Sequence, residues 1–167
     1  MAIITANFVT RLSGGAANAT GNASLGGVKS ANAMSATVDQ LFDATSAAEA
    51  LAGDVEYRCV YLHNANVTDT MTNALVFVSA NTPLTSTTLD IGVGTAAVNG
   101  TEQTVVDETV APVGVTFSAP TTAGAGLALG TIAAGQHKAI WLRRTVTAAS
   151  ASSANDTWSL GYQCETV

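Results

Sequence analysis

The sequence predicts an all-β fold, an antiparallel β-sandwich of immunoglobulin-like or jelly-roll kind with about seven to eight strands. Three observations predict it. From Asp54 onward apolar residues recur with a period of two, turn-forming residues interrupt the chain at short intervals, and no helical pattern separates the candidate strands. Strands alternating with helices would instead mark a parallel α/β sheet.

Residues 1–36 read as an extended, flexible N-terminal arm. Ala2 to Leu12 is β-prone, whereas Ser13 to Gly27 holds five glycines and almost nothing to bury. Such a segment cannot offset its own ordering entropy. It is expected either as a loose terminus or as a strap that orders on a neighbouring subunit. Phe8, Val9, Arg11 and Leu12 are the residues by which it would dock.

Residues 37–167 are expected to form the sandwich, entered through a short helical or loop segment at 37–53. Thr37-Val38-Asp39-Gln40 reads as a capping box ahead of Leu41 and Phe42, and Ser46-Ala47-Ala48-Glu49 repeats the pattern. Gly53 is placed to stop the second helix.

Val55 to Leu62 is the first expected strand, with Val55, Tyr57, Cys59 and Tyr61 on one face and Val60 and Leu62 on the other. Further strands are expected at Ala74–Ser79, Thr88–Val93, Gly114–Ser118, Gly126–Ile132, Lys138–Thr147 and Thr157–Glu165. Asn81-Thr82-Pro83, Asn99-Gly100, Ala111-Pro112, Ala119-Pro120 and Ala134-Gly135 punctuate them. In the strand around Ala139 to Arg144, Ile140 and Leu142 point inward, so Trp141 and Arg143 are expected to project outward together. An outward Trp beside an Arg is a pairing enriched in protein–protein interfaces.

Composition narrows the chemistry. The net charge is −6, and charged residues make up 11% of the chain. Phosphate backbones and anionic membranes are bound through Lys and Arg, so neither nucleic acid nor membrane is an expected partner. No apolar run is long enough to span a bilayer, and the N-terminus lacks the pattern of a secretory signal, so synthesis in a host cytoplasm is expected.

Cys59 and Cys164 are two thiols without metal-ligand spacing. Each alternates with aromatic residues on a strand face, which leaves open either buried thiols or one disulfide if the strands are neighbours.

Catalytic motifs are weak. Gly92-Val93-Gly94-Thr95-Ala96-Ala97 has the glycines of a dinucleotide loop, but Asn99-Gly100 follows where a phosphate-binding helix would have to begin. His63 and His137 stand beside turns, with no Cys, Asp or Glu at ligand spacing, so they read as surface or turn residues. Asp107-Glu108 and Asp54/Glu56 lack a calcium-loop pattern. The expectation is a protein that is not an enzyme and needs no cofactor or metal.

Three stretches carry a resemblance. They are Gly53-Asp54-Val55-Glu56-Tyr57-Arg58-Cys59-Val60-Tyr61-Leu62-His63-Asn64, then Val98 to Gln103 with Pro112 to Phe117, and Gly130 to Arg144. The first two are similar in texture to segments of tailed-bacteriophage virion proteins, and the third resembles an arrangement common in immunoglobulin-like sandwiches; together they look most like capsid decoration (cement) proteins with a β-sandwich body. The resemblance covers about residues 35–167 and includes no catalytic motif. It implies a virion component on the capsid surface whose partners are the major capsid protein and further copies of itself, with trimers as the habit of such proteins. A tail-associated structural protein and a carbohydrate-binding adhesion module are the alternative expectations.

Overall fold

The computed structural model describes residues 2–35, 41–151 and 157–166. Nine strands follow in order: β1 (Phe8–Leu12), β2 (Gly26–Gly27), β3 (Asp54–Asn64), β4 (Met71–Ala80), β5 (Thr87–Val93), β6 (Glu102–Thr104), β7 (Leu127–Ile132), β8 (His137–Val146) and β9 (Ser159–Thr166). Among the described residues one α-helix, α1, spans Ala47–Ala52. It forms where the sequence predicts it. Ser46 Oγ accepts from the Glu49 N–H, the Glu49 side chain reaches back to Ser46, and Gly53 ends the turn at φ +80°. The capping box at Thr37 falls outside the described residues.

Six of the seven expected strands are present, with ends shifted by up to three residues. Together with β1 they build two antiparallel sheets, one ordered β1-β3-β8-β5 and the other β7-β4-β9. From β3 to β5 and from β7 to β9, consecutive strands alternate between the two sheets, which ties them into a sandwich. The core between them gathers Val60 and Leu62 from β3, Met71, Val76 and Val78 from β4, Ile91 from β5, and Ile140 and Leu142 from β8.

The four-stranded sheet is covered on its other face as well. A two-stranded ribbon of β2 and β6, with the loops around it, closes a second core of Cys59, Tyr61, Val105, Ala139 and Trp141. Sheets buried on both faces carry near-continuous apolar runs rather than clean alternation. That accounts for Cys59-Val60-Tyr61-Leu62 and for Ala139-Ile140-Trp141-Leu142, all eight side chains being buried.

Two expectations are corrected here. The glycine-rich segment after β1 folds back onto its own domain instead of extending from it. β1 pairs with β3 from Phe8↔Asn64 to Leu12↔Val60, and residues 30–34 bond along the free edge of β1. The segment's order comes from side-chain hydrogen bonds. Asn18 Nδ2 donates to the Thr20 carbonyl at 3.0 Å, Ser30 Oγ donates to the Asn18 carbonyl at 2.6 Å, and Ser13 Oγ accepts from the Gly26 N–H at 3.0 Å. Gly26 is needed there: at φ +93°, an added Cβ would collide with the Gln103 carbonyl and lie 3.1 Å from Trp141.

The second correction concerns Gly114–Ser118, which is not a strand. It makes one bridge, Ile91↔Ser118, and otherwise wraps over the second core, where Val115 and Phe117 pack.

Candidate functional site

The residues singled out for contact are distributed by the fold as follows. Leu12 is buried in the main core, and Phe8 is half-buried with its ring stacked 6.1 Å from that of Tyr162. Val9 is half-buried beside His63, its partner in the β1–β3 register. Arg11 is half-buried and donates to the Ala31 carbonyl.

The outward Trp141 is overturned. It does face away from the main core, but the second layer covers that face and leaves it 0% exposed. Arg143 remains at the surface, held to Asp90 by bonds of 2.7 and 3.1 Å, with its guanidinium 5.1 Å from the Phe117 ring centre.

No disulfide joins Cys59 and Cys164. Cys59 sits in the second core and Cys164 packs against the first, so the four-stranded sheet separates them. Burial pushes both thiols above the usual range, which disfavours the nucleophilic thiolate.

Two clusters of ionisable groups do assemble, and both arise from strand register. The first lies at one end of the sandwich. Glu56 and Arg58, alternate residues of β3, share the inter-sheet face with Arg144 of β8, the register partner of Glu56. Arg144 pairs with Glu56 and, at 3.7 Å, with Asp43; Arg58 pairs with Glu108 and, at 3.6 Å, with Glu56. Both guanidiniums lie against the Phe42 ring, at 5.0 and 5.5 Å from its centre. Burial pushes the Glu56 carboxyl up to about 7 against the pull of Arg144 and Arg58.

Carboxylate oxygens of Asp43, Glu56 and Glu108 lie within 4.8 Å of one another, a spacing that would suit a metal ion. The two arginines already occupy those oxygens. Two guanidiniums offset most of the charge of the three carboxylates, and the arrangement locks the end of the sandwich rather than offering a binding site.

The second cluster lies at the opposite end of β3. His63 and His137 are register partners there, and burial depresses the protonation of both, helped by Lys29 at each and by Arg11 at His63. Sequence reading missed this meeting because 74 positions separate the two histidines; only the β3–β8 register joins them. The Glu56–Arg144 pairing was hidden for the same reason.

The glycines of Gly92–Ala97 hold no phosphate-type loop, since no helix follows them. A Cβ at Gly92 would strike Val115, and one at Gly94 would strike Glu102, so these glycines admit the covering layer.

One further surface feature stands out. The loop from Val105 to Gly114 exposes Val106 (86%), Val113 (81%) and Val110 (40%), yet it is pinned at both ends and in the middle. Gln103 exchanges two 2.8 Å bonds with the Val113 backbone, the Tyr57 N–H donates to the Glu108 carbonyl at 2.7 Å, and Arg58 holds the Glu108 side chain.

No protein-family model, curated protein or solved structure matches the chain.

Proposed function

We propose that this chain is a non-catalytic virion structural protein, a decoration protein that seats on the outer surface of a tailed-phage capsid and strengthens contacts between major capsid protein subunits. The observation that carries this reading is the pinned valine loop at 105–114. Exposed apolar side chains on a rigid loop bind with little ordering cost, because the bound shape already exists. Many copies on one shell make a small contact of this kind sufficient. The resemblance of the β3 segment and of the stretch from Val98 to Phe117 to virion proteins supplies the context, and the bonded, three-layered body suits a part that resists mechanical load.

A carbohydrate-binding module needs an exposed aromatic platform. Every aromatic side chain of this chain is buried or half-buried, which favours the structural reading.

The test is biochemical. Purified particles should contain the chain at hundreds of copies, as a stained gel would record, and purified protein should rebind shells stripped of it. Val106→Asp with Val113→Asp should lose rebinding at unchanged thermal stability. A few copies per particle would place the protein in the tail, and absence from particles would overturn the proposal.

A further inference from the structure

We propose that Arg11, Lys29, His63 and His137 form a binding site for a small oxyanion of the sulfate or phosphate type. The site is independent of the decoration role and lies on the face of the four-stranded sheet opposite the main core.

Strand geometry assembles it. Val9, His63 and His137 form one row across β1, β3 and β8, and Arg11, Tyr61 and Ala139 form the next. The ribbon then brings in Lys29, anchored by the bond from Tyr61 Oη to the Gly27 carbonyl. A chain with net charge −6 and only six Lys and Arg thus gathers two of them and both its histidines at one place.

The local balance is unfavourable without a counter-charge. Among the described residues, every charge acting on His63 and His137 is positive: Lys29 and Arg11 on the first, Lys29 and His63 on the second. Lys29 is itself held below its usual range by burial and by Arg11. Glu102 of β6 bonds Tyr61 through its backbone N–H but turns its carboxylate to Thr95 Oγ1 and the Ala96 N–H.

Donor capacity is also unused. Arg11 Nε, His63 Nδ1 and His137 Nδ1 are buried with no hydrogen-bond partner, three of six such atoms among the described residues. Buried polar atoms are ordinarily satisfied, so the orphan Arg11 Nε donor calls for an acceptor; each imidazole already bonds a backbone group, Gln136 or Gly100, and its Nδ1 becomes a second donor only on protonation. An oxyanion supplies acceptor oxygens and negative charge together. His63, alone of the four residues, also lines an open groove of about 330 Å³ with Asn66, Val67 and Gly135.

Protonation should couple to binding. Burial and neighbouring cations hold both histidines below their ordinary value, and a bound anion reverses the second effect. Affinity should therefore rise as pH falls. A rise of one pKa unit on binding corresponds to about tenfold.

The experiment is a titration of the whole protein with sodium sulfate at constant ionic strength set by chloride, followed by the histidine ring proton resonances in NMR. Both histidines should shift saturably, about tenfold more tightly at pH 6 than at pH 7.5. Lys29→Met should weaken binding about tenfold and raise both histidine pKa values in sulfate-free buffer. His63→Gln provides a second variant with the same expected loss. Shifts that do not saturate, shifts that chloride reproduces, or unchanged binding in a folded Lys29→Met would overturn the site.

Discussion

Glu56 on β3 and Arg144 on β8 are cross-strand partners whose side chains meet against the Phe42 ring, with side-chain exposures of 3% and 13%. Arg58, fully buried two residues along β3, holds the other Glu56 oxygen and reaches out to Glu108. Residues 43, 56, 58, 108 and 144 come from four separate stretches of chain, so this cluster ties one end of the sandwich to its loops.

The cluster sets a pH dependence. Folding raises the Glu56 carboxyl from 4.5 to about 7, so the folded state holds a proton that the unfolded state has released. Its contribution to stability is complete below about pH 4.5 and is lost as pH rises through 7. Relative to wild type, Glu56→Gln should gain about 3 kcal/mol between pH 4.5 and pH 8. Denaturant melts of both proteins across that range measure the difference, and parallel curves would refute the shift.

His63 and His137 act with the opposite sign. Their depressed values mean that the unfolded state binds more protons near pH 6, so stability falls as pH drops below the ordinary histidine value of 6.5. A His63→Asn, His137→Asn double variant should flatten the acid side of the stability profile and leave the slope above pH 7 unchanged. Thermal midpoints from pH 5 to 8 provide the check.

Trp141 should behave as a core residue. Replacing it by Ala should cost about 3–5 kcal/mol, as large aromatic truncations in sealed cores do. Gly26→Ala should be severely destabilising too, since its Cβ has no room between Gln103 and Trp141 and its φ is positive. Native tryptophan emission should move toward the red in Gly26→Ala. A variant as stable as wild type would mean that the covering layer is loose.

Deleting residues 2–30 should destroy cooperative folding rather than trim an appendage. It removes β1, β2 and the cover over Cys59, Tyr61 and Trp141. Loss of a sharp denaturation transition, with binding of a hydrophobic dye, is the expected result. A truncated chain that unfolds cooperatively near the wild-type midpoint would contradict it.

Thiol labelling should separate the two cysteines. Cys164 is half-buried and should react slowly in native protein, whereas Cys59, 0% exposed, should react only after unfolding. Two titratable thiols in denaturant under non-reducing conditions complete the expected result.

The strands were legible wherever local signals sufficed. Period-two alternation and turn residues located β3, β4, β5 and β7–β9, and the Ser46–Glu49 capping box with Gly53 located α1, because each signal is read within a few residues. β2 and β6 carry no such signal. They are two and three residues long and exist only because each pairs with the other across the second core.

The same limit explains the arm. Taken alone, Ser13–Gly27 has too little to bury to become ordered. Placed on the β3–β8 face, it is stabilised by sealing Tyr61 and Trp141 and by its Asn18 and Ser30 hydrogen bonds. Face assignment was correct for Trp141, since strand parity settles which side a residue takes. Whether that side met water or a third layer depended on residues remote along the chain, from Phe117 and Val115 back to Gly26 and Leu25.

By itself the sequence determined the class, an antiparallel β body with a short capped helix, because backbone periodicity and turn chemistry are local properties. The tertiary structure alone decided what the polar residues do. Register joined His63 to His137 and Glu56 to Arg144, and the folded-back N-terminal segment turned an expected surface into a core. Electrostatic and packing energies depend on distance through space, and strand pairing sets those distances between residues far apart along the chain.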